Sequence, residues 1–94
     1  MVLTLKFIGA LRHASGKTHL SVSYAEDMSV KKLLAEVTGN SPKLEKTFRA
    51  LLSGDSSSDA LVLVNGREIS ALDGLETKLC DGDEIVFVPV VHGG

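Results

Sequence analysis

The sequence is poor in the residues that most often betray a function. Tryptophan is absent, and one tyrosine and three phenylalanines are the only aromatics among 94 residues. A nucleic-acid site needs aromatic platforms or a basic surface. This chain has few of the first, and its 10 Lys+Arg against 12 Asp+Glu leave a formal net charge of −2. Nucleic acid is therefore not an expected partner. The single cysteine, Cys80, cannot form an internal disulfide, and with three scattered histidines it cannot build a zinc site. No metal ligands are expected. The longest apolar run, 85–91, contains Pro89 and falls far short of the ~20 residues that a bilayer span takes. Lys6 interrupts the early apolar stretch, so no signal peptide is expected. These absences leave a reduced, cytoplasmic protein with no membrane partner as the expectation.

What is present is the balance of one small globular domain, 44% hydrophobic and 23% charged. Charge is uneven along it. Residues 1–50 hold eight basic and four acidic groups, whereas residues 51–94 hold two and eight. Such a chain has an acidic end that favours basic partner surfaces. Two of the nine glycines are the last two residues, Gly93 and Gly94.

Alternation of apolar and polar residues over 3–7 and 19–24 predicts two strands, with Leu3, Leu5, Phe7, Leu20, Val22 and Tyr24 inward. Between them, 9–17 reads as a loop or turn, close enough for an antiparallel hairpin. Ser29 offers an N-cap, and Val30, Leu33, Leu34 and Val37 follow at i, i+3, i+4, i+7, the spacing of one helical face. Gly39 sits where a left-handed C-cap is wanted. Ser41-Pro42 opens a second, shorter helix carrying Leu44, Phe48, Leu51 and Leu52. Residues 53–59 read as a solvated loop. The apolar run 60–64 is a strand, Asn65-Gly66 a tight turn, and 67–69 the return strand. Residues 72–79 are irregular and pinned by Leu72, Leu75 and Leu79. Asp81-Gly82-Asp83 is a turn into the last strand, 84–88, with Ile85 and Phe87 inward, Val86 and Val88 outward, and Pro89 ending or edging it. The order is β-β-α-(α)-β-β-β.

Four pieces of this sequence resemble those of one family. Residues 7–12 with Gly16 are similar to its first strand and Arg…Gly loop. Leu63-Val64-Asn65-Gly66-Arg67 resembles its "VNGR" hairpin. Leu79 with Asp81-Gly82-Asp83-Glu84-Ile85 resembles its "L-x-DGDE" turn, and 87–94 resembles its "FPPVxGG" tail, with Val90 in place of the second proline and His92 before the glycines. The family is the ubiquitin-like β-grasp group of MoaD-type proteins: molybdopterin synthase small subunits, ubiquitin-related modifiers and small archaeal modifier proteins. The resemblance implies an α+β fold, a mixed sheet of four to five strands packed on one main helix, with a second short helix. It implies one domain over 1–91 and a flexible Gly-Gly tail over 92–94. His92 is like the tails of ubiquitin-related modifiers.

The resemblance also implies a role. The protein is a sulfur carrier or modifier, not an enzyme, and its working group is the Gly94 carboxylate presented through Gly93. An ionised carboxylate with a pKa near ~3.5 is a poor acyl donor and must be activated. In the family a separate adenylating enzyme does this with ATP and Mg²⁺, and this chain binds no cofactor itself. Sulfur then gives a thiocarboxylate for molybdopterin synthesis or tRNA thiolation, or the acyl group passes to lysines of target proteins. Glycines, lacking Cβ, suit a narrow channel. The implied partners are the activating enzyme, a molybdopterin synthase large subunit, a tRNA thiolation enzyme or target lysines, with the free protein a monomer. Ile8, Leu63, Val86 and Val88 on the outer sheet face, with Val90, Val91, His92 and Arg12, are the expected partner-binding residues; an extra segment covering the patch is the competing account. The alternative for the whole chain is a non-catalytic β-grasp interaction domain with an incidental Gly-Gly end.

Other patterns carry less. Ser15-Gly16-Lys17-Thr18 has the end of a phosphate loop, but Leu11 stands where its first glycine belongs. Asp81, Asp83 and Glu84 lack the rest of a calcium loop. Cys80 has only Lys78 as a nearby basic residue in sequence, which favours a semi-buried structural thiol.

Overall fold

The computed structural model describes residues 1–16, 18–25, 27–40, 42–53 and 60–90. Its strands are β1 (Val2–Phe7), β2 (His19–Ser23), β3 (Met28–Ser29), β4 (Ala60–Val64), β5 (Arg67–Glu68), β6 (Lys78–Leu79) and β7 (Glu84–Pro89). Its α-helices are α1 (Ala10–Ser15), α2 (Val30–Asn40) and α3 (Glu45–Leu52). Five strands form a mixed sheet in the order β2-β1-β7-β4-β5, and β3 pairs with β6 in a two-stranded ribbon. β7 lies at the centre, parallel to β1 and antiparallel to β4. This is the expected α+β, β-grasp arrangement.

The alternating strands put one row inward. Leu3, Leu5, Phe7, Val62, Val64, Ile85 and Phe87 pack with Val30, Leu33, Leu34 and Val37 of α2 and with Leu44 and Phe48 in one core. Phe87 stacks on Phe7 with ring centroids 5.3 Å apart and meets Phe48 at 4.9 Å, so it ties the sheet to α3. On the edge strand β2, Leu20 and Val22 are only half-buried, as α2 sits over the inner strands. Ser29 caps α2 as expected, its Oγ accepting the Lys32 N–H at 3.2 Å.

Several expectations need correction. Residues 9–17 are not a plain loop, because 10–15 form α1, anchored by buried Leu11 and closed by Gly16 in the left-handed conformation. Gly39 is not a C-cap; α2 continues through it to Asn40. The return strand stops at Glu68, whose carboxylate accepts the Ser70 N–H and starts a 3₁₀ turn at Ile69. Pro89, by contrast, ends β7 as expected, as its last residue and opposite Ala60.

Two motifs that are separate in sequence form one clasp. Asn65 and Gly66 both have positive φ, 51° and 84°, as the tight β4–β5 turn demands. The Asn65 side chain donates to Asp83 Oδ1 at 2.9 Å and accepts the Glu84 N–H at 3.0 Å. Asp83 Oδ2 accepts the Cys80 N–H at 2.8 Å, and Asp81 Oδ1 accepts the Val2 N–H at 2.6 Å. The hairpin and the turn into β7 are thereby locked together at the end of the sheet where β7 begins.

Candidate functional site

At the other end of the sheet, β7 finishes at Pro89 and leads into half-buried Val90. The neighbours of that end follow from register. Lys6 and Phe7 lie opposite Val86 and Phe87, and the Ile8 N–H donates to the Phe87 carbonyl at 3.1 Å, which places Ile8 beside Val88. From the other side, Leu61 pairs with Val88 and Leu63 with Val86. Because Phe87 points into the core, Val86 and Val88 point out. The outer face therefore carries two apolar rows, Ile8–Val88–Leu61 and Val86–Leu63. Ile8 is 46% and Leu61 41% exposed.

This row structure sets Ile8 beside Val88, both expected on the outer face, and adds a residue, Leu61. Leu61 was readable only from strand parity, and in Ala-Leu-Val-Leu-Val every position is apolar, so the pattern conceals which side is out. The Lys6 Nζ–Glu84 Oε2 pair, 3.0 Å apart and half-exposed, borders the patch on the same face. No described segment of the second helical region is paired to this face, whose strands carry α2 and α3 on the inner side. Arg12 is exposed on α1, which packs against β7. Val91, His92, Gly93 and Gly94 lie outside the described residues.

The carboxylates of Asp81 and Asp83 are taken by backbone N–H groups and Asn65, and no cluster of three metal-ligating side chains occurs among the described residues. Gly16 closes a helix where a phosphate loop would open one. Cys80 is exposed, not the semi-buried thiol expected, and lines an open cleft of about 370 Å³ with Lys32, Lys78 and Met28. Tyr24, half-buried, has its phenol pushed above the ordinary value by burial and, less strongly, by the Glu36 charge. No helix among the described residues is long and apolar enough to cross a membrane.

Comparison with known proteins now decides the family. The ThiS family model matches residues 5–94. The chain belongs to the ThiS family. Among its relatives is small archaeal modifier protein 3 of Haloferax volcanii, 32% identical over 94 residues that cover 100% of both chains. A candidate sulfur carrier protein of Archaeoglobus fulgidus is 38% identical over 73 residues, 74% of this chain and 78% of that one. The solution structure of small archaeal modifier protein 1 from Methanosarcina acetivorans superposes with a TM-score of 0.76 at 33% identity, covering 99% of this chain and 96% of that one. In this ThiS-family chain the outer row Ile8–Val88–Leu61 lies at the same end of the sheet as Pro89, the last residue of β7.

Proposed function

We propose that this ThiS-family protein is a ubiquitin-like sulfur carrier and protein modifier that works through the carboxylate of Gly94. The observation that carries this reading is its match, over its full length, to a relative named as a modifier, together with the match to one named as a sulfur carrier. The contiguity of the outer apolar rows with the β7 end supports it physically. An apolar patch of this kind on an open sheet face is a docking surface more often than an accident.

In this reading the Gly94 carboxylate attacks the α-phosphate of ATP in an activating enzyme. A carboxylate–phosphorus linkage forms and pyrophosphate leaves. Sulfide-level sulfur then adds to the acyl carbon; the new C–S bond replaces the C–O bond to AMP, which departs. A lysine amine reaching the same carbon gives an isopeptide instead, again releasing AMP and a proton. Nucleotide and Mg²⁺ are held by the activating enzyme. This chain supplies the acyl group, the tail, and the docking rows Ile8, Leu61, Leu63, Val86 and Val88, with Val90, Val91, His92 and Arg12 in contact at the rim. It is a cosubstrate, acting in the cytoplasm, and Gly93 and Gly94 pass where a side chain would not.

The test is to incubate the chain with the adenylating enzyme of its own genome, Mg-ATP and sulfide, and to weigh the intact protein. A gain equal to the difference between sulfur and oxygen at the last residue is expected, and loss of Gly93-Gly94 abolishes it. Absence of both this product and isopeptide conjugates in cells would overturn the reading. Retained biological function after loss of the two glycines would favour a β-grasp interaction domain. Partners captured with the intact chain separate the end uses: a synthase large subunit, a tRNA thiolation enzyme, or lysine-linked targets.

A further inference from the structure

Among the described residues near the tail, Gly9 is the one whose backbone no other amino acid adopts comfortably. Its φ of 58° and ψ of −131° are the mirror image of extended backbone, a region in which an L side chain collides with its own main chain. A Cβ built there would also sit 3.1 Å from Pro89 Cγ and 3.8 Å from Cδ. The two glycines that flank α1 differ in this respect, since Gly16 has open space around it.

The geometry of the β1–β7 ladder explains why these two residues meet. The Ile8 N–H donates to the Phe87 carbonyl. In a parallel ladder the next bond would run from the N–H of residue 89 to the Ile8 carbonyl. Proline has no N–H, so that bond is absent. The Ile8 carbonyl accepts the Leu11 N–H at 3.2 Å instead, and the Gly9 carbonyl accepts the Arg12 N–H at 3.0 Å. The chain thus leaves β1 and turns into α1 at the residue beside the proline ring. On its other side Pro89 still pairs with Ala60, which is buried. Pro89 is held between Gly9 and Ala60, with its own φ fixed by the ring.

We propose that Gly9 is a positioning residue for the tail: its missing side chain and mirror-image backbone seat the Pro89 ring, and that seat sets the direction in which the chain leaves the sheet. The consequence for sulfur transfer rests on the carrier reading above. Residues 91–94 add at most about 14 Å of reach. A tail this short has little slack, so an error of direction at its root becomes a displacement of the Gly94 carboxylate from the nucleotide. The docking rows are untouched by such an error.

The experiment uses the full-length labelled chain with glycine or alanine at position 9, and Gly39→Ala as control, because Gly39 is helical with open space around it. Residual dipolar couplings report the orientation of the Val90 N–H bond relative to the sheet. In Gly9→Ala the Val90 coupling is expected to change while those of β1, β4 and α2 hold. In the adenylation assay kcat is expected to fall about tenfold or more with KM within about twofold, the signature of misplaced reacting groups on an intact docking face. Unchanged couplings and unchanged kcat would overturn the proposal, as would a raised KM with kcat preserved. If Gly9→Ala does not fold, Pro89→Ala empties the seat from the other side and is held to the same outcomes. Failure of the carrier reading shows separately, as wild-type chain that is never adenylated; the couplings then still decide the role of Gly9.

Discussion

The clasp between the Asn65-Gly66 turn and the Asp81-Gly82-Asp83 turn should behave energetically as one unit. Replacing Asn65 by glycine keeps the left-handed conformation but removes two side-chain hydrogen bonds, to Asp83 and to the Glu84 N–H. At about 0.5–1 kcal/mol for each bond in so exposed a place, the loss is about 1–2 kcal/mol. Asp83→Ala removes the acceptor of Asn65 and of the Cys80 N–H, for a similar loss. The bond common to both variants is Asn65 Nδ2 to Asp83 Oδ1. The double variant should therefore fall short of additivity by about 0.5–1 kcal/mol. Asn65→Ala should be worse than Asn65→Gly by roughly 1–2 kcal/mol, because alanine must also hold a φ of 51°. Urea titrations with unchanged slope measure all four, and each kcal/mol should move Tm by about 4–8 °C in a domain of this size. Additivity of Asn65→Gly and Asp83→Ala to within about 0.3 kcal/mol would refute the single-clasp account.

Three other outcomes are expected. Phe87→Ala should cost roughly 3–5 kcal/mol in the same titration, much of the ~5–14 kcal/mol available to a 94-residue domain, because the ring is fully buried between Phe7 and Phe48. Val88→Asp and Leu61→Asp should weaken binding to the adenylating enzyme about tenfold or more while circular dichroism stays unchanged, since both lie on the outer face; undiminished affinity would remove that face from docking. The raised pKa of Tyr24 means that the unfolded chain loses this proton first as pH rises. Stability from this source is complete below pH ~10 and declines as pH climbs through the unfolded and then the folded pKa, and Tyr24→Phe should flatten that decline in pH-dependent melts.

Much of this was legible because single-period patterns dominate where burial is one-sided. Strands β1 and β2 alternate, α2 repeats its apolar residues on one face, and Asn-Gly names its turn. The family resemblance supplied the order of strands, which no local pattern contains. What was missed has local physical reasons. Helix α1 is six residues long, too short for a period, and exists because Leu11 is buried and Gly9 can turn the chain. The β3–β6 ribbon has two residues per strand and is made by tertiary pairing. Leu61 is hidden in a run of five apolar residues, where only strand parity tells which side faces out. The seat formed by Gly9 and Pro89 joins residues eighty positions apart, one of which looks like an ordinary loop glycine.

The central place of β7 has a consequence for biosynthesis. The strand that bears the tail is the last of the described strands to leave the ribosome, yet it fills the gap between β1 and β4. Until it inserts, those two strands have no common neighbour, and the inner row lacks Ile85 and Phe87. Pairing β1 with β7 closes a loop of nearly the whole chain, an entropically slow step. A chain cut short before β7 lacks both the completed sheet and the segment that leads to the glycines. The sheet is thus completed only once the strand that leads toward the glycines has been made and inserted.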